Sequence, residues 1–260
     1  PKQAMTPDAI EQAAQILVHS SHAVVLTGAG HSTPSGIPDF RSPSSGLWEQ
    51  ADPMVVASLD GFRRNPKAFY DWIGPLAHKM AAAAPNPAHL ALAELERMGI
   101  VKAVITQNID QLHQRAGSTR VYELHGNVRG VTCTKCGASS PPDEAWRQVL
   151  AEGRVPLCSI CGGVLKPDVV LFGELLPVQV LLEAQREVDR CDVLLVAGSS
   201  LEVYPAAELP DRALRNGAAI IVVNYEPTHI DSQARVVLNQ DVALALPGIA
   251  RHVVEMTRKQ

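Results

Sequence analysis

The chain has 260 residues, 46% of them hydrophobic and 19% charged, and a formal net charge of −4 at pH 7. That length supports one large α/β domain or a large domain with a small one, and the hydrophobic share excludes a disordered chain. The mildly acidic balance gives no electrostatic reason to expect nucleic acid, and no apolar run approaches the stretch of about 20 residues needed to span a bilayer. The N-terminal "PKQAMTPDAI" lacks a charged-then-apolar leader pattern, so a cytoplasmic protein is expected, with no membrane or nucleic-acid partner.

"TPDAIEQAAQILVHS" predicts a helix with Thr6 as N-cap, Pro7 at the first helical position and Ile10, Ala14 and Leu17 as its apolar stripe. "AVVLTGAG" then reads as a short buried strand entering a glycine turn, "GAGHSTPSGIPDFR" at 28–41. Gly28 and Gly30 suit a dinucleotide turn, but Thr33 stands where the usual third glycine falls, and no lysine follows to make a P-loop. Such a turn alone is an ordinary strand-to-helix connection. The backbone N–H groups from Ala29 to Thr33, the hydroxyls of Ser32 and Thr33 and the guanidinium of Arg41 could together face a diphosphate.

Residues 42–85, with Trp48 and "NPKAFYDWIGPL", read as a helical and loop insertion. "PAHLALAELERMG" predicts a helix with Gly99 just past its end. "VKAVITQNID" (101–110), "VVLF" (169–172), "DVLLVAGSS" (192–200) and "AAIIVVNYE" (218–226) are β-branched runs that stop at small or polar residues. Their alternation with helices predicts a Rossmann-like α/β fold with a parallel, doubly covered sheet. Ligands of such sheets bind beyond the carboxyl ends of the strands, where "GAG", "QNID", "GSS" and "NYE" fall.

In "TQNIDQLHQRAG", Gln107, Asn108 and Asp110 sit at a strand end, and Asp110 reads as the cap of the helix that runs to Gly117. His125, in "YELHGN", closes a short strand-like segment just before the cysteines. Residues 131–166 show few helical patterns and read as an insertion that needs help to fold. Cys133 and Cys136, with Cys158 and Cys161, form two CxxC knuckles with residues 137–157 between them. Four thiolates so paired suit a closed, structural Zn²⁺ site. A redox pair or two disulfides are the alternatives, and a reducing compartment disfavours them. Cys191 stands alone beside a strand and reads as a small core residue.

Taken in order, "GAGHSTPSGIPDFR", "TQNID", "LHG", the two knuckles, "VVLFGE", "GSSLEVYPAA" and "VNYEPT" resemble the sirtuin family of NAD-dependent protein lysine deacylases over roughly residues 8–250, and most of all its undifferentiated bacterial branch. The resemblance implies an NAD-binding domain from residues 1–41, 86–130 and 167–260. The helical insertion 42–85 and the zinc-binding insertion 131–166 would form a small second domain. Gly28, Ala29, Gly30, Thr33 and Arg41 would then meet the NAD phosphates and ribose, with Asp39 and Phe40 shielding the leaving nicotinamide. Asn108, Ile109 and Asp110 would shape the nicotinamide pocket, and Gln107 and His125 would flank its ribose. Gly198, Ser199, Ser200, Asn224, Tyr225, Asp241 and Val242 would hold the adenosine half. Val169, Phe172, Gly173 and Glu174, with Leu201, Glu202 and Val203, would wall the acyl-lysine cleft.

The implied activity is deacetylation of acetyl-lysine in proteins, with NAD as co-substrate and zinc as a structural metal. Nicotinamide and O-acetyl-ADP-ribose would be released. His125 would act as the base and Asn108 would order water and ribose. A mono-ADP-ribosyltransferase or a non-catalytic NAD-sensing module are the alternatives, and a monomer is expected. Three positions depart from the family pattern. His31 replaces the commoner isoleucine and is expected to face solvent, and Tyr225 stands where leucine is frequent. Ile73 follows Tyr70 by three residues, where the desuccinylase branch carries arginine, so acetyl-lysine should be preferred to succinyl-lysine.

Overall fold

The computed structural model describes residues 7–40, 46–49 and 51–258; Thr6 and Arg41 lie outside the described residues. Helix α1 (Pro7–Val18) begins at its proline and buries Ile10, Ala14 and Leu17. Strand β1 (Ala23–Thr27) is buried along its whole length. Its alternate side chains enter two different apolar clusters, as a strand covered on both faces requires. Two 3₁₀ turns, Ala29–His31 and Thr33–Ser35, follow the glycines where a helix would ordinarily start.

Helices α2 (Pro53–Val56), α3 (Leu59–Arg64) and α4 (Pro66–Ala82) come next, opened by the cap side chains of Asp52, Ser58 and Asn65. Helix α5 (Pro87–Arg97) is capped by Asn86, and Gly99 beyond its end takes the left-handed conformation, φ +75°. Strand β2 (Val101–Thr106), the one-turn α6 (Leu112–Ala116) and the short β3 (Val121–Glu123) follow. The cysteine segment contributes β4 (Gly126–Cys133), β5 (Ser139–Ser140), α7 (Pro142–Glu152) and β6 (Leu165–Val169). The chain ends with α8 (Val178–Arg190), β7 (Val193–Ala197), α9 (Leu209–Arg215), β8 (Ala219–Val223), β9 (Val236–Leu238) and α10 (Val242–Thr257).

Six strands form one parallel sheet in the order β3-β2-β1-β7-β8-β9. Residues of α1, α5 and α10 cover one face with Leu17, Leu92, Leu95, Ile249 and Val253. Residues of α8 and α9 cover the other with Ala184, Val188, Leu209 and Ala213. Truncating a buried leucine such as Leu92 or Leu95 to alanine costs about 2–5 kcal/mol in packed cores of this kind. The chain runs outward from β1 to β3, then returns to the far side of β1 for β7, so the strand order reverses at β1 and β7. Open α/β sheets bind ligands at that reversal.

The run "VVLF" departs from the expected plan. Val169 ends β6, which pairs antiparallel with β4 in a separate three-stranded sheet, β5-β4-β6, and Phe172 reaches a bridge with Ser58. Its β-branched composition suits any half-buried strand, and partner strand rather than composition decides which sheet it joins. The cysteine segment also holds the eleven-residue helix α7, of which only Ala145 and Val149 are fully buried. Trp146, Val149 and Leu150 of α7 share an apolar cluster with Phe62, Phe69, Tyr70, Ile73 and Leu76 of the helical insertion and with Val169 and Leu171. The Tyr70 hydroxyl donates to the Leu165 carbonyl at 2.6 Å, and Trp146 Nε1 donates to Val128 O at 3.2 Å. Among the described residues no helix is long and apolar enough to cross a membrane.

Candidate active site

The glycine turn and the end of β7 meet at the strand reversal. A Cβ on Gly28 would stand 2.9 Å from Gly198 O, and one on Gly30 3.0 Å from the same oxygen. Gly198 adopts φ +66°, and a Cβ there would stand 2.2 Å from His31 N. The three glycines therefore serve one close backbone approach. The first hydrogen bond inside the turn is His31 N–H to Gly28 O, 2.9 Å, so the N–H groups of Ala29 and Gly30 precede it. Thr33 spends its hydroxyl on Gly30 O at 3.1 Å.

A cavity of about 890 Å³ opens from this turn. Gly28, Ala29, Gly30, Thr33, Asp39 and Phe40 line it from the glycine segment; Gln107, Asn108, Ile109 and His125 from the ends of β2 and β3; and Gly198, Ser199 and Ser200 from the end of β7. Asn108 is gripped from three sides: its amide Nδ2 donates to Gly28 O and Ser32 Oγ, both at 3.0 Å, and its backbone N–H to Thr106 Oγ1 at 3.1 Å. Gln107 Nε2 donates to Ser199 Oγ at 2.9 Å.

His125 Nδ1 lies 2.9 Å from Gln107 O. Because a carbonyl only accepts, the ring proton sits on Nδ1 and the Nε2 lone pair is left for chemistry. Burial lowers the His125 pKa, partly offset by that carbonyl, so the ring stays neutral near pH 7. Asp110 does not line the cavity. It sits behind it, accepting from Ser32 Oγ at 2.6 Å and from Leu112 N at 2.9 Å, so the expected helix cap is present and also orients Ser32. Burial raises the Asp110 pKa despite both bonds.

The opposite wall comes from the end of β6 and the segment after it: Val169, Phe172, Gly173 and Glu174 line the cavity, as do Glu202 and Val203 after β7. Leu201 does not line it; it is buried with φ +56°, which turns its side chain into the core. Glu174 Oε2 accepts from Leu171 N at 2.8 Å and Lys166 Nζ at 3.1 Å, so this carboxylate holds the wall rather than standing free. At the far end Asn224 and Tyr225 line the cavity, while Asp241 and Val242 stand behind it. Asp241 caps α10 through Ala243 N, 2.7 Å, and receives the Tyr225 hydroxyl at 3.3 Å. The Arg41 position falls outside the described residues.

Sequence reasoning tied Ile73 to acyl choice but missed the apolar part of the cavity around it, lined by Ile37 and by Phe69, Trp72, Ile73, Leu76 and Met80 of α4. The signal was there: positions 69, 73, 76 and 80 lie on one helical stripe, and a stripe reads as core until a void is found beside it. Trp48 stacks between Phe40, 5.0 Å away, and Trp72, 5.4 Å away, and so roofs that part. Tyr70 points elsewhere, with its hydroxyl engaged by Leu165 O. No lysine or arginine stands among the described residues that line the cavity.

His31 is not solvent-facing. It is 0% exposed and packs its ring against His89 and His113, with centroids 4.5 Å and 5.0 Å away. A polar residue in a glycine loop reads as exposed; here residues distant in sequence close over it.

The four cysteines of the knuckles converge. Cys133 and Cys161 sulfurs lie 3.5 Å apart and those of Cys136 and Cys158 3.8 Å apart, with all four within 4.8 Å of one another. A disulfide needs about 2 Å, whereas four sulfurs at about 2.3 Å from a tetrahedral ion stand about 3.8 Å apart. The set therefore fits a closed four-thiolate metal site and no disulfide. Gly163 is required there, since a Cβ would come within 2.9 Å of Cys133 Sγ. Cys191 lies apart, buried, and burial pushes its thiol up to about 12, as suits a core residue.

The model of the Sir2 family matches residues 28–205. The NAD-dependent protein deacylase 2 of Archaeoglobus fulgidus is 52% identical over 247 residues, covering 95% of this chain and 96% of that protein. A solved Sir2 complex with a deacetylated p53 peptide and 3′-O-acetyl ADP ribose has a TM-score of 0.88 and 42% identity, over 95% of this chain and 98% of its own. A second, bound to a myristoylated histone peptide, has a TM-score of 0.84 and 46% identity, over 98% of this chain and all of its own. With the glycine turn at the strand reversal, the free imidazole beside it and the four-cysteine cluster all in place, this chain belongs to the Sir2 family.

Proposed function

We propose that the chain is an NAD-dependent protein lysine deacetylase that takes acetylated lysine in peptides and proteins. One observation carries this reading: a single cavity joins the glycine turn, the His125 ring with its free Nε2, and an apolar recess walled by α4. In the overall reaction acyl-lysine, NAD and water give lysine, nicotinamide and O-acyl-ADP-ribose, with the acyl oxygen replacing nicotinamide on the ribose carbon. The recess is also the feature that an ADP-ribosyl transfer would leave unused, which favours deacylation over that alternative.

The residues divide the work as follows. The glycine turn accepts the phosphates through backbone N–H groups. Asn108, fixed at both backbone and amide, orients the ribose and a water but exchanges no proton, because an amide does not titrate. Phe40, stacked on Trp48, would cover the bond that breaks and keep water away while the weakly nucleophilic amide oxygen is aligned. His125 Nε2 then receives the proton of a ribose hydroxyl, and that hydroxyl takes the acyl group.

Aromatic and aliphatic groups along the recess support acyl chains longer than acetyl, as does the relative seen with a myristoylated peptide. The four cysteines would hold one Zn²⁺, which supplies folding stability and takes no part in the reaction. Close unlinked thiols are sustained in a reducing compartment, which supports a cytoplasmic setting. All the groups named come from one chain, so a monomer suffices. The test is incubation with NAD and an acetylated peptide, followed by mass spectrometry of peptide and nucleotide. Loss of 42 Da from the peptide, with equal release of nicotinamide and O-acetyl-ADP-ribose, is expected for an acetyl group. A gain of ADP-ribose on the peptide with the acetyl group retained would overturn it.

A further inference from the structure

His31, His89 and His113 meet beneath the glycine turn, each essentially excluded from solvent. Nothing in the reaction described above uses them. Ring nitrogens of the three come within 4.8 Å of one another, which invites a metal, but the protons are wrongly placed for one. His89 Nδ1 accepts from Asn86 N–H at 3.3 Å, so its proton sits on Nε2, where a metal needs a lone pair. His31 and His113 stack at 26° instead of pointing at a common centre.

His113 has one polar partner: Nε2 lies 2.9 Å from Thr27 Oγ1. The Thr27 hydroxyl donates to Thr106 Oγ1 at 2.8 Å, so its lone pair faces the histidine, and the imidazole proton belongs on Nε2. Thr106 Oγ1 also accepts the backbone N–H of Asn108 at 3.1 Å. Thr27 and Thr106 are the last residues of β1 and β2 and stand opposite each other in the parallel ladder. Both are buried, so no solvent competes for their hydroxyls.

We infer that His113 is a positioning residue for Asn108, acting through the hydroxyls of Thr27 and Thr106. The inference rests on the reading of Asn108 given above. The chain of donors runs His113 Nε2–H to Thr27, Thr27 to Thr106, with Asn108 N–H closing it from the other side. A threonine hydroxyl rotates freely, and His113 removes that freedom by occupying the Thr27 lone pair. Burial holds the His113 pKa well below its ordinary value, so the ring keeps a single proton and its donor role at working pH. With the hydroxyls set, Thr106 presents an acceptor to the Asn108 backbone, and the Asn108 amide can reach Gly28 O and Ser32 Oγ together.

The experiment compares steady-state kcat and KM for Thr27→Val, His113→Leu, the double variant, His113→Gln and Asn108→Ala, with thermal melting as the fold control. Valine is isosteric with threonine and favoured in a strand, so Thr27→Val keeps the test meaningful if His113→Leu folds poorly. We expect Thr27→Val and His113→Leu each to lower kcat about tenfold or more, with the peptide KM within about twofold, since displacements near 1 Å cost up to 10²-fold. The double variant should be no slower than the slower single one, because both break one relay. His113→Gln retains an amide N–H near the Nε2 position and should recover to within about threefold. Additive losses, a normal kcat in Thr27→Val, or a glutamine variant as slow as the leucine one overturns the relay. A normal kcat in Asn108→Ala overturns the reading of Asn108 and the relay with it, whereas an inactive Asn108→Ala beside a normal Thr27→Val overturns the relay alone.

Discussion

Replacing Gly198 by alanine places a methyl carbon 2.2 Å from His31 N and 2.5 Å from the Gly30 carbonyl carbon. Ordinary contact begins near 3.4 Å, so the turn from Gly28 to His31 has to retreat by roughly 1 Å. The positive φ of Gly198 adds about 1–2 kcal/mol of strain for any residue with a Cβ. These two effects separate, because Gly217 also has positive φ, +86°, yet a Cβ there meets nothing within 4 Å. Gly217→Ala should therefore lose about 1–2 kcal/mol of stability and keep its kinetics. Gly198→Ala should lose stability and also about 10²-fold in kcat/KM for NAD, since the displaced turn is the proposed phosphate holder. The assay is initial-rate kinetics with NAD varied at saturating acetyl-peptide, alongside urea denaturation of both variants. A Gly198→Ala enzyme within about threefold of the original kcat/KM for NAD would refute the assignment of this turn to the phosphates.

His125→Ala should lower kcat by about 10²–10⁴ while NAD binding, read by calorimetry, persists; turnover above half of the original removes His125 from the proton transfer. Burial lowers the pKa of His31, His113 and His89, the last to about 4. A lowered folded-state pKa means that unfolding takes up protons below pH 6.5, so stability present above that pH is lost as the pH falls towards the folded values. For His89 the loss is on the order of 2 kcal/mol between pH 6.5 and 5, and denaturation midpoints that stay flat over that range contradict it. Elemental analysis should find one zinc per chain, and Cys158→Ser should lose it and depress deacylation; full metal occupancy in that variant removes the four-thiolate assignment. Acetyl-peptide should exceed succinyl-peptide in kcat/KM, because an unpaired carboxylate in the recess costs several kcal/mol, and Ile73→Arg should narrow the gap; equal efficiency in the unsubstituted enzyme shows a cation elsewhere.

The sheet was legible where strands are long and doubly covered, as in β1, β7 and β8, whose runs are continuously apolar and end at glycine or asparagine. It was illegible at β9, whose three residues are too few for any period to show, and β3, equally short, was visible only as the strand-like segment before His125. Helix α7 hid because it buries so little of itself. The site residues on strand ends were readable, since small and polar residues after an apolar run have few other reasons to be there. Two kinds of residue were not. His31 is covered by side chains from α5 and α6, a contact between positions far apart in sequence. The recess on α4 uses the same residue types as a packed core, so the pattern cannot tell a void from a neighbour.

Lys166 carries a consequence for how such a chain can diversify. Its ammonium donates to Pro167 O and Val169 O and pairs with Glu174, which itself holds Leu171 N. The cleft wall is thereby tied to β6, one strand away from the cysteine cluster, while the glycine turn is tied to β1 and β7. The proposed sites for nucleotide and acyl-lysine thus rest on two different sheets, joined where Val170 N–H donates to His125 O at 2.9 Å. A substitution on the β6 wall that moves Val170 is therefore expected to reach His125 as well, whereas one on the recess face of α4, such as at Ile73, is expected to alter which acyl group fits while Gly28 and Gly30 keep their places against Gly198.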